Sequence, residues 1–238
     1  MEQDMNDALK EIETLVNSSE DIGQTLEDLL MKYGFPNNDF EKLIKDKGTR
    51  GKLLDKIMIG NFGDTRQAAD LAEYGLPAEQ KVVVVKKSKK RPFSAKDTIK
   101  VTSATYDPLF QYDQERAWDK SVVREKTEYG LYQCWSFAGS KDKKFLSKFL
   151  GVIPHVLSDD VLGRIKEEYR IVQQYINDQI DEHGRITKGT TSTGRYIQIR
   201  TSGAGKGAPK TYSWYFTQHF VNEVILSKLP AQVSAIMS

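Results

Sequence analysis

Three residues early in the chain could act together on a phosphodiester: Asp70, Glu79 and Lys81, in the stretch AADLAEYGLPAEQKVVVVKK over residues 68–87. Two carboxylates offer the hard oxygen ligands that Mg2+ takes while it keeps several waters. A metal held there polarises the scissile phosphate and acidifies bound water, and a neighbouring ammonium steadies the attacking water and the developing charge. Glu79 and Lys81 flank one position of a strand-like run, so both side chains emerge on the same face. The other reading is a surface pair of acids beside a lysine, because Asp…Glu-x-Lys is a short pattern.

The elements that must position these groups follow from periodicity. Leu9, Ile12, Leu15 and Val16 recur at helical spacing, as do Leu26, Leu29, Leu30 and Tyr33 in the next segment, which Gly34 and FPNND end. A third helix is predicted over about residues 49–60, with Leu53, Leu54, Ile57 and Met58 on one face and Asp55 off the apolar stripe. Strands are predicted at 81–85 (KVVVV), 97–105 and 129–137. Ser158 caps a long helix carrying Val161, Leu162, Ile165, Val172, Ile176 and Ile180, and Gly184 ends it. RYIQIR at 195–200 alternates like a half-buried strand, the loop TSGAGKGAPK follows, and YSWYF leads into a last helix. This order reads as α/β or α+β.

A chain of 238 residues, 39% hydrophobic and 29% charged, suits one large globular domain or two intimately packed lobes. The net charge of +2 gives no global basic field. Its distribution is uneven: residues 1–30 are acidic, whereas KKSKKRP at 86–92 puts five basic residues in six positions, suited to phosphate contact or to a solvated loop. Cys134, the only cysteine, excludes an internal disulfide and a cysteine zinc cluster and favours a reducing compartment. The acidic N-terminus is not a signal peptide, and no segment approaches the ~20 apolar residues that span a bilayer. The expected setting is cytoplasmic, without a membrane partner. His155, His183 and His219 are scattered, and read as structural or surface residues. Trp118, Trp135 and Trp214 read as packing, and Cys134 as a small buried hydrophobe.

The stretch KDKGTRGKLLDKIMIGNFG…AADLAEYG…EQK resembles the signature of the MutH-type mismatch-repair nicking endonucleases and the related GATC-cutting type II restriction endonucleases. In that family an Asp-Lys-Gly-x-x-Gly-x-Leu-Leu-acid helix precedes an Asp-x-x-x-x-Gly turn and a Glu-x-Lys strand. Downstream, AWDKSVVREK (117–126) looks like the segment that ends in a second active-site lysine. GRYIQIR (194–200) looks like the strand whose arginine reads a base, and WYFTQHF (214–220) like the aromatic strand before the C-terminal helix. The pieces keep the family's order from about residue 22 to 228.

The resemblance implies a restriction-endonuclease-like mixed sheet flanked by helices, with two lobes around a DNA cleft. It gives one MutH-like endonuclease domain over 1–238, with approximate lobes 1–140 for catalysis and 141–238 for recognition. It assigns Asp70 and Glu79 to Mg2+, Lys81 to the attacking water and phosphate, and Asp55 and Lys126 to supporting roles in the site. It assigns Lys47 to a phosphate, Arg200 to a base edge and Tyr215 to a base or its methyl group. Lys206 and Lys210, in the glycine-rich loop, are expected to contact DNA. Pro77 and Ala78 lengthen the turn before Glu79 by two residues against the family's spacing, while only the endpoints are constrained. The expected activity is that of a type II restriction enzyme cutting double-stranded DNA at a short GATC-like site, as a monomer or a transient homodimer on DNA. The match by motif rather than by continuous similarity favours it. The alternatives are a strand-nicking repair endonuclease and a catalytically silent DNA-binding module of the same family.

Overall fold

Valines 82–85 form the middle of strand β1 (Glu79–Lys86), which also takes in Glu79 and Gln80 ahead of the apolar run. The computed structural model describes residues 2–35, 49–59, 78–140, 143–190, 194–202, 210–230 and 233–237. It is a mixed α/β arrangement with two sheets flanked by helices. The first sheet has the order β2–β1–β4–β5, with β2 at Ser94–Ala95, β4 at Tyr129–Ser136 and β5 at Phe149–Val156. Strand β1 runs parallel to β4 and antiparallel to β2. The second sheet, β3–β7–β6, is antiparallel, with β3 at Ile99–Ser103, β6 at Ile197–Ser202 and β7 at Thr211–Phe216.

The sheets fall in two compact units. One gathers residues 1–97, 130–155 and 225–238, and the other 98–129 and 156–224. The lobes drawn from the sequence at 1–140 and 141–238 are continuous stretches; the compact units are not. Among the described residues, no helix is long and apolar enough to cross a membrane.

In the first unit every residue of β4 after Tyr129 is buried, as expected of a strand covered on both faces. Helix α3 (Thr49–Ile59) lies on one of those faces. There the Arg50 guanidinium sits 5.1 Å from the Trp135 ring centre and donates through Nη2 to Ser147 Oγ at 2.6 Å. Burial lowers its pKa to about 10. The sequence reading assigned no element to β5. Gly151 and Pro154 argue against a strand there, but both are tolerated at a sheet edge. Gly151 takes a positive φ of 106°, and a Cβ on it would lie 2.5 Å from Asn17 Oδ1. Asn17, the last residue of helix α1 (Glu2–Asn17), uses that space to clamp the strand. Its Nδ2 donates to Val152 O at 2.9 Å, and its Oδ1 accepts from Val152 N at 2.8 Å. Helix α2 (Leu26–Lys32), capped by Thr25, completes the helical layer with Leu26, Leu29 and Leu30 buried.

In the second unit the expected long helix is present at both of its predicted ends. Ser158 caps Asp159–His183, here α6, and Gly184 closes it in the left-handed region at φ 66°. Its buried Tyr169 stacks on Trp214 of β7, with centroids 5.4 Å apart, and meets Trp118 and Phe110 at 5.2 and 6.0 Å. Trp118 belongs to α4 (Gln114–Asp119), which with α5 (Val122–Glu128) makes up the AWDKSVVREK segment. One residue before Tyr169, Glu168 accepts backbone N–H bonds from Arg195, Tyr196 and Ile197, each at 2.8 Å, and so fixes the start of β6. The last helix is not continuous. Gln218–Phe220 is α-helical, Val221–Ile225 a π-helical turn and Leu226–Lys228 a 3-10 turn. The β-branched Val221, Val224 and Ile225 are poorer helix formers than the straight-chain residues, which is consistent with the break.

Asn17→Ala removes both partners of the buried Val152 peptide groups. It should lower unfolding free energy by about 1–3 kcal/mol, read as a shift of the urea midpoint at unchanged slope. An unmoved midpoint would show that β5 holds its edge without the clamp.

Candidate functional site

Glu79 opens β1, and Lys81 stands two residues on, on the same face. Their side chains form an ion pair through Glu79 Oε2, with Glu79 only 2% exposed and Lys81 17%. In the parallel register Glu79 lies beside Gly130 and Lys81 beside Tyr132 of β4. The Tyr132 ring folds back over Gly130: a Cβ there would lie 2.8 Å from Tyr132 Cε2 and 3.2 Å from its hydroxyl oxygen. Only glycine leaves room for the ring in that place. Burial, and secondarily the Glu79 carboxylate, raise the Tyr132 phenol well above the ordinary tyrosine range. The phenol therefore stays neutral beside the acid–lysine pair.

Behind Tyr132 lies His155, with ring centres 6.0 Å apart in an edge arrangement. His155 Nδ1 is 3.0 Å from Lys228 Nζ. An ammonium can only donate, so Nδ1 accepts and the imidazole proton sits on Nε2. Burial, together with the Lys228 cation, lowers the His155 pKa to about 3. Burial also lowers Lys228, against the raising effect of Glu13. Glu13 is raised by burial, although Lys228 and Lys10 pull it down. His155 is thus a structural histidine, as its isolation in the sequence suggested.

The second unit carries a different surface. Alternation along β3, β7 and β6 puts Ile99, Ile197, Ile199, Tyr212, Trp214 and Phe216 on one face, all buried. The other face carries Lys100, Tyr215 and Gln198 in one cross-strand row, with Arg200 beside Ser213. Arg200 and Lys100 are exposed and Tyr215 is half-buried. Arg200 Nη1 donates to Thr98 Oγ1 at 3.0 Å, which steadies the guanidinium at the sheet surface.

The structure therefore brings Glu79 to Lys81, and Arg200 to the face that carries Tyr215. Lys126 lies in the last turn of α5, in the second unit, and Lys210 is exposed just before β7. Asp55 is on α3 as expected, but its side chain lies outside the described residues, as do Asp70, Lys47 and Lys206 entirely. The N-terminal part of α3 packs on the Gln80 and Trp135 side of the sheet, opposite the face of Glu79 and Lys81. Among the described residues, no group of three or more His, Cys, Asp or Glu could hold a metal ion. Sequence reasoning missed Tyr132 and Gly130, Lys100 and Gln198. Strand alternation could have supplied Lys100 and Gln198, whereas Tyr132 and Gly130 needed the pairing of β1 with β4. Comparison with models of known protein families and with curated proteins finds no match for this chain.

Two measurements check this geometry. Gly130→Ala should cost about 1–3 kcal/mol through overpacking, and less in a Tyr132→Leu background; strictly additive effects would mean the ring is not the obstacle. His155 has a folded-state pKa near 3, against an ordinary 6.5. Below pH 6.5 the unfolded chain takes the proton that the folded chain refuses, so this stability is present above 6.5 and is lost as pH falls toward 3. His155→Gln should flatten the stability–pH curve in that window by up to about 1.4 kcal/mol per pH unit. An unchanged slope would mean His155 is protonated in the folded state.

Proposed function

We propose that the chain is a Mg2+-dependent, sequence-specific DNA endonuclease with a restriction-endonuclease-like catalytic sheet, specifically a type II restriction enzyme acting at a short GATC-like site. The observation that carries this reading is the Glu79–Lys81 ion pair, seated at the start of β1 beside the neutral Tyr132 phenol. Asp70 precedes it in the order that the nuclease resemblance requires. The carboxylate of Glu79 is a hard oxygen donor held in place by Lys81, the type of ligand that Mg2+ takes. Glu79 and Asp70 would hold the ion, which when bound supplies Lewis acidity toward the scissile phosphate and a more acidic water.

The chain's own groups divide the remaining work. Lys81 fixes Glu79 and presents its ammonium to the phosphate, where it offsets charge that grows during displacement. Tyr132 excludes water from one side of the carboxylate and so strengthens the local electrostatics. Lys126 and Asp55 have their supporting roles from the resemblance alone: Lys126 belongs to the second unit, and the start of α3 packs on the face opposite Glu79 and Lys81. Arg200, Tyr215 and Lys210, with Lys100 on the same sheet, form the surface suited to double-stranded DNA. Arginine pairs with the guanine edge and lysine with phosphate.

The test is digestion of unmodified plasmid by the purified protein with Mg2+ as the only addition. Cutting of both strands at one short sequence is expected. Glu79→Ala and Lys81→Ala should each lower the rate by at least about 10²-fold, a typical loss for one electrostatic group, while specific binding in Ca2+ persists. Nicking of one strand that depends on an added protein would transfer the reading to a repair nickase. Specific binding with no cleavage would leave a silent DNA-binding module.

A further inference from the structure

The far end of β1 carries a feature that the proposed endonuclease activity does not use. Where β1 and β4 finish, an open groove of about 510 Å3 is lined by Lys86, Lys87, Lys148, Phe137, Leu146 and Ile236, among others. Lys86 and Lys87 are exposed, and Lys148 reaches the same space from the segment just before β5, more than half the first sheet away in sequence. Lys148 Nζ donates to Ile236 O at 3.0 Å, which anchors the ammonium in the wall and leaves its other hydrogens for a ligand. None of these three lysines forms an ion pair among the described residues. Lys96, ion-paired with Asp97 at 3.6 Å, sets its Nζ 4.4 Å from the Phe137 ring centre, and Lys89, Lys90 and Arg91 occupy the adjoining exposed turn. The floor is apolar: Phe137 is half-buried and Leu146 is 46% exposed.

Three lysines lining a groove with an apolar floor suit an anion with a flat, weakly polar body. Lysine ammoniums bind phosphate as point charges, and an aromatic or aliphatic floor takes a base by stacking or packing. With a rise of about 3.3 Å per residue, Lys86 lies roughly 17 Å along β1 from Lys81, so a phosphate in this groove is not the one beside Glu79. We propose that the groove formed by Lys86, Lys87, Lys148, Phe137 and Leu146 is a second binding site, for a nucleoside phosphate, supplied either as a free nucleotide or as an unpaired unit of a nucleic-acid strand. The assignment rests on the groove alone and does not require cleavage at Glu79.

The test reads binding in the absence of divalent metal, so the outcome of the cleavage assay does not enter it. Wild-type protein is titrated with dAMP, with inorganic phosphate and with a fluorescently labelled single-stranded oligonucleotide. The same titrations are made on Lys86→Glu/Lys87→Glu and on Leu146→Glu, which change exposed side chains, with unchanged melting as the control for folding. The expected result is a loss of affinity of at least tenfold in both variants. For the oligonucleotide, the slope of log K against log salt should also fall by about 1.4 in the double variant, at about 0.7 per single-strand phosphate contact. Saturable dAMP binding that is lost in the variants identifies a free nucleotide; binding of the oligonucleotide alone identifies a strand. Equal affinity for inorganic phosphate and dAMP would overturn the nucleoside assignment, and unchanged affinity in both variants would overturn the site.

Discussion

The parallel register of β1 on β4 is the constraint on which the rest of the first unit depends. It sets Glu79 beside Gly130 and Lys81 beside Tyr132, and in the same stroke turns Gln80, Val82 and Val84 toward α3. A slip of one residue would place the acid and the lysine under the helix and Gln80 on the opposite side. Residues 82–85 are all valine, so the slip exchanges valine for valine there, and its cost falls on Glu79, Gln80 and Lys81, whose polar groups would change faces. The same strand then carries a buried acid–lysine pair at its start and a basic groove at its finish.

Charge buried near this sheet is handled in three distinct ways. Glu79 is neutralised by a neighbour of opposite sign on its own strand. Arg50 keeps its charge against the face of Trp135 and the Ser147 hydroxyl, at the cost of a lowered pKa. His155 gives up its charge and accepts a hydrogen bond from Lys228 instead. These are the three routes by which an ionisable group escapes the desolvation penalty of an apolar interior: pairing, polarisable contact and neutralisation.

The second unit separates packing from presentation by strand alternation alone. One face of the three-stranded sheet closes on α6 through the Tyr169–Trp214 stack, and the other displays Lys100 and Arg200, with Tyr215 half-buried between them. Glu168 ties the two functions together. By accepting three successive backbone N–H groups it fixes where β6 begins, and hence which of its residues point outward.

What the sequence determined by itself was local. The helices α1, α2, α3 and α6, the Ser158 cap and the Gly184 stop of the last of these, the middles of β1, β3, β4 and β6, and the shared face of Glu79 and Lys81 all follow from backbone periods of 3.6 and 2 residues and from local capping residues, which neighbours in sequence are enough to set. Strand β5 escaped because Gly151 and Pro154 are signals against a strand, and only its place at the sheet edge, clamped by Asn17, makes them harmless. A last helix is expected after YSWYF, and the segment forms three short turns of different pitch. The tertiary structure alone decided the fold of Tyr132 over Gly130 beside Glu79, the meeting of His155 with Lys228, and the arrival of Lys148 opposite Lys86. Each joins residues whose separation along the chain carries no periodic signal. Their meeting is set by which strands are neighbours in the sheet, and that order is fixed by burial of the whole core rather than by any one segment.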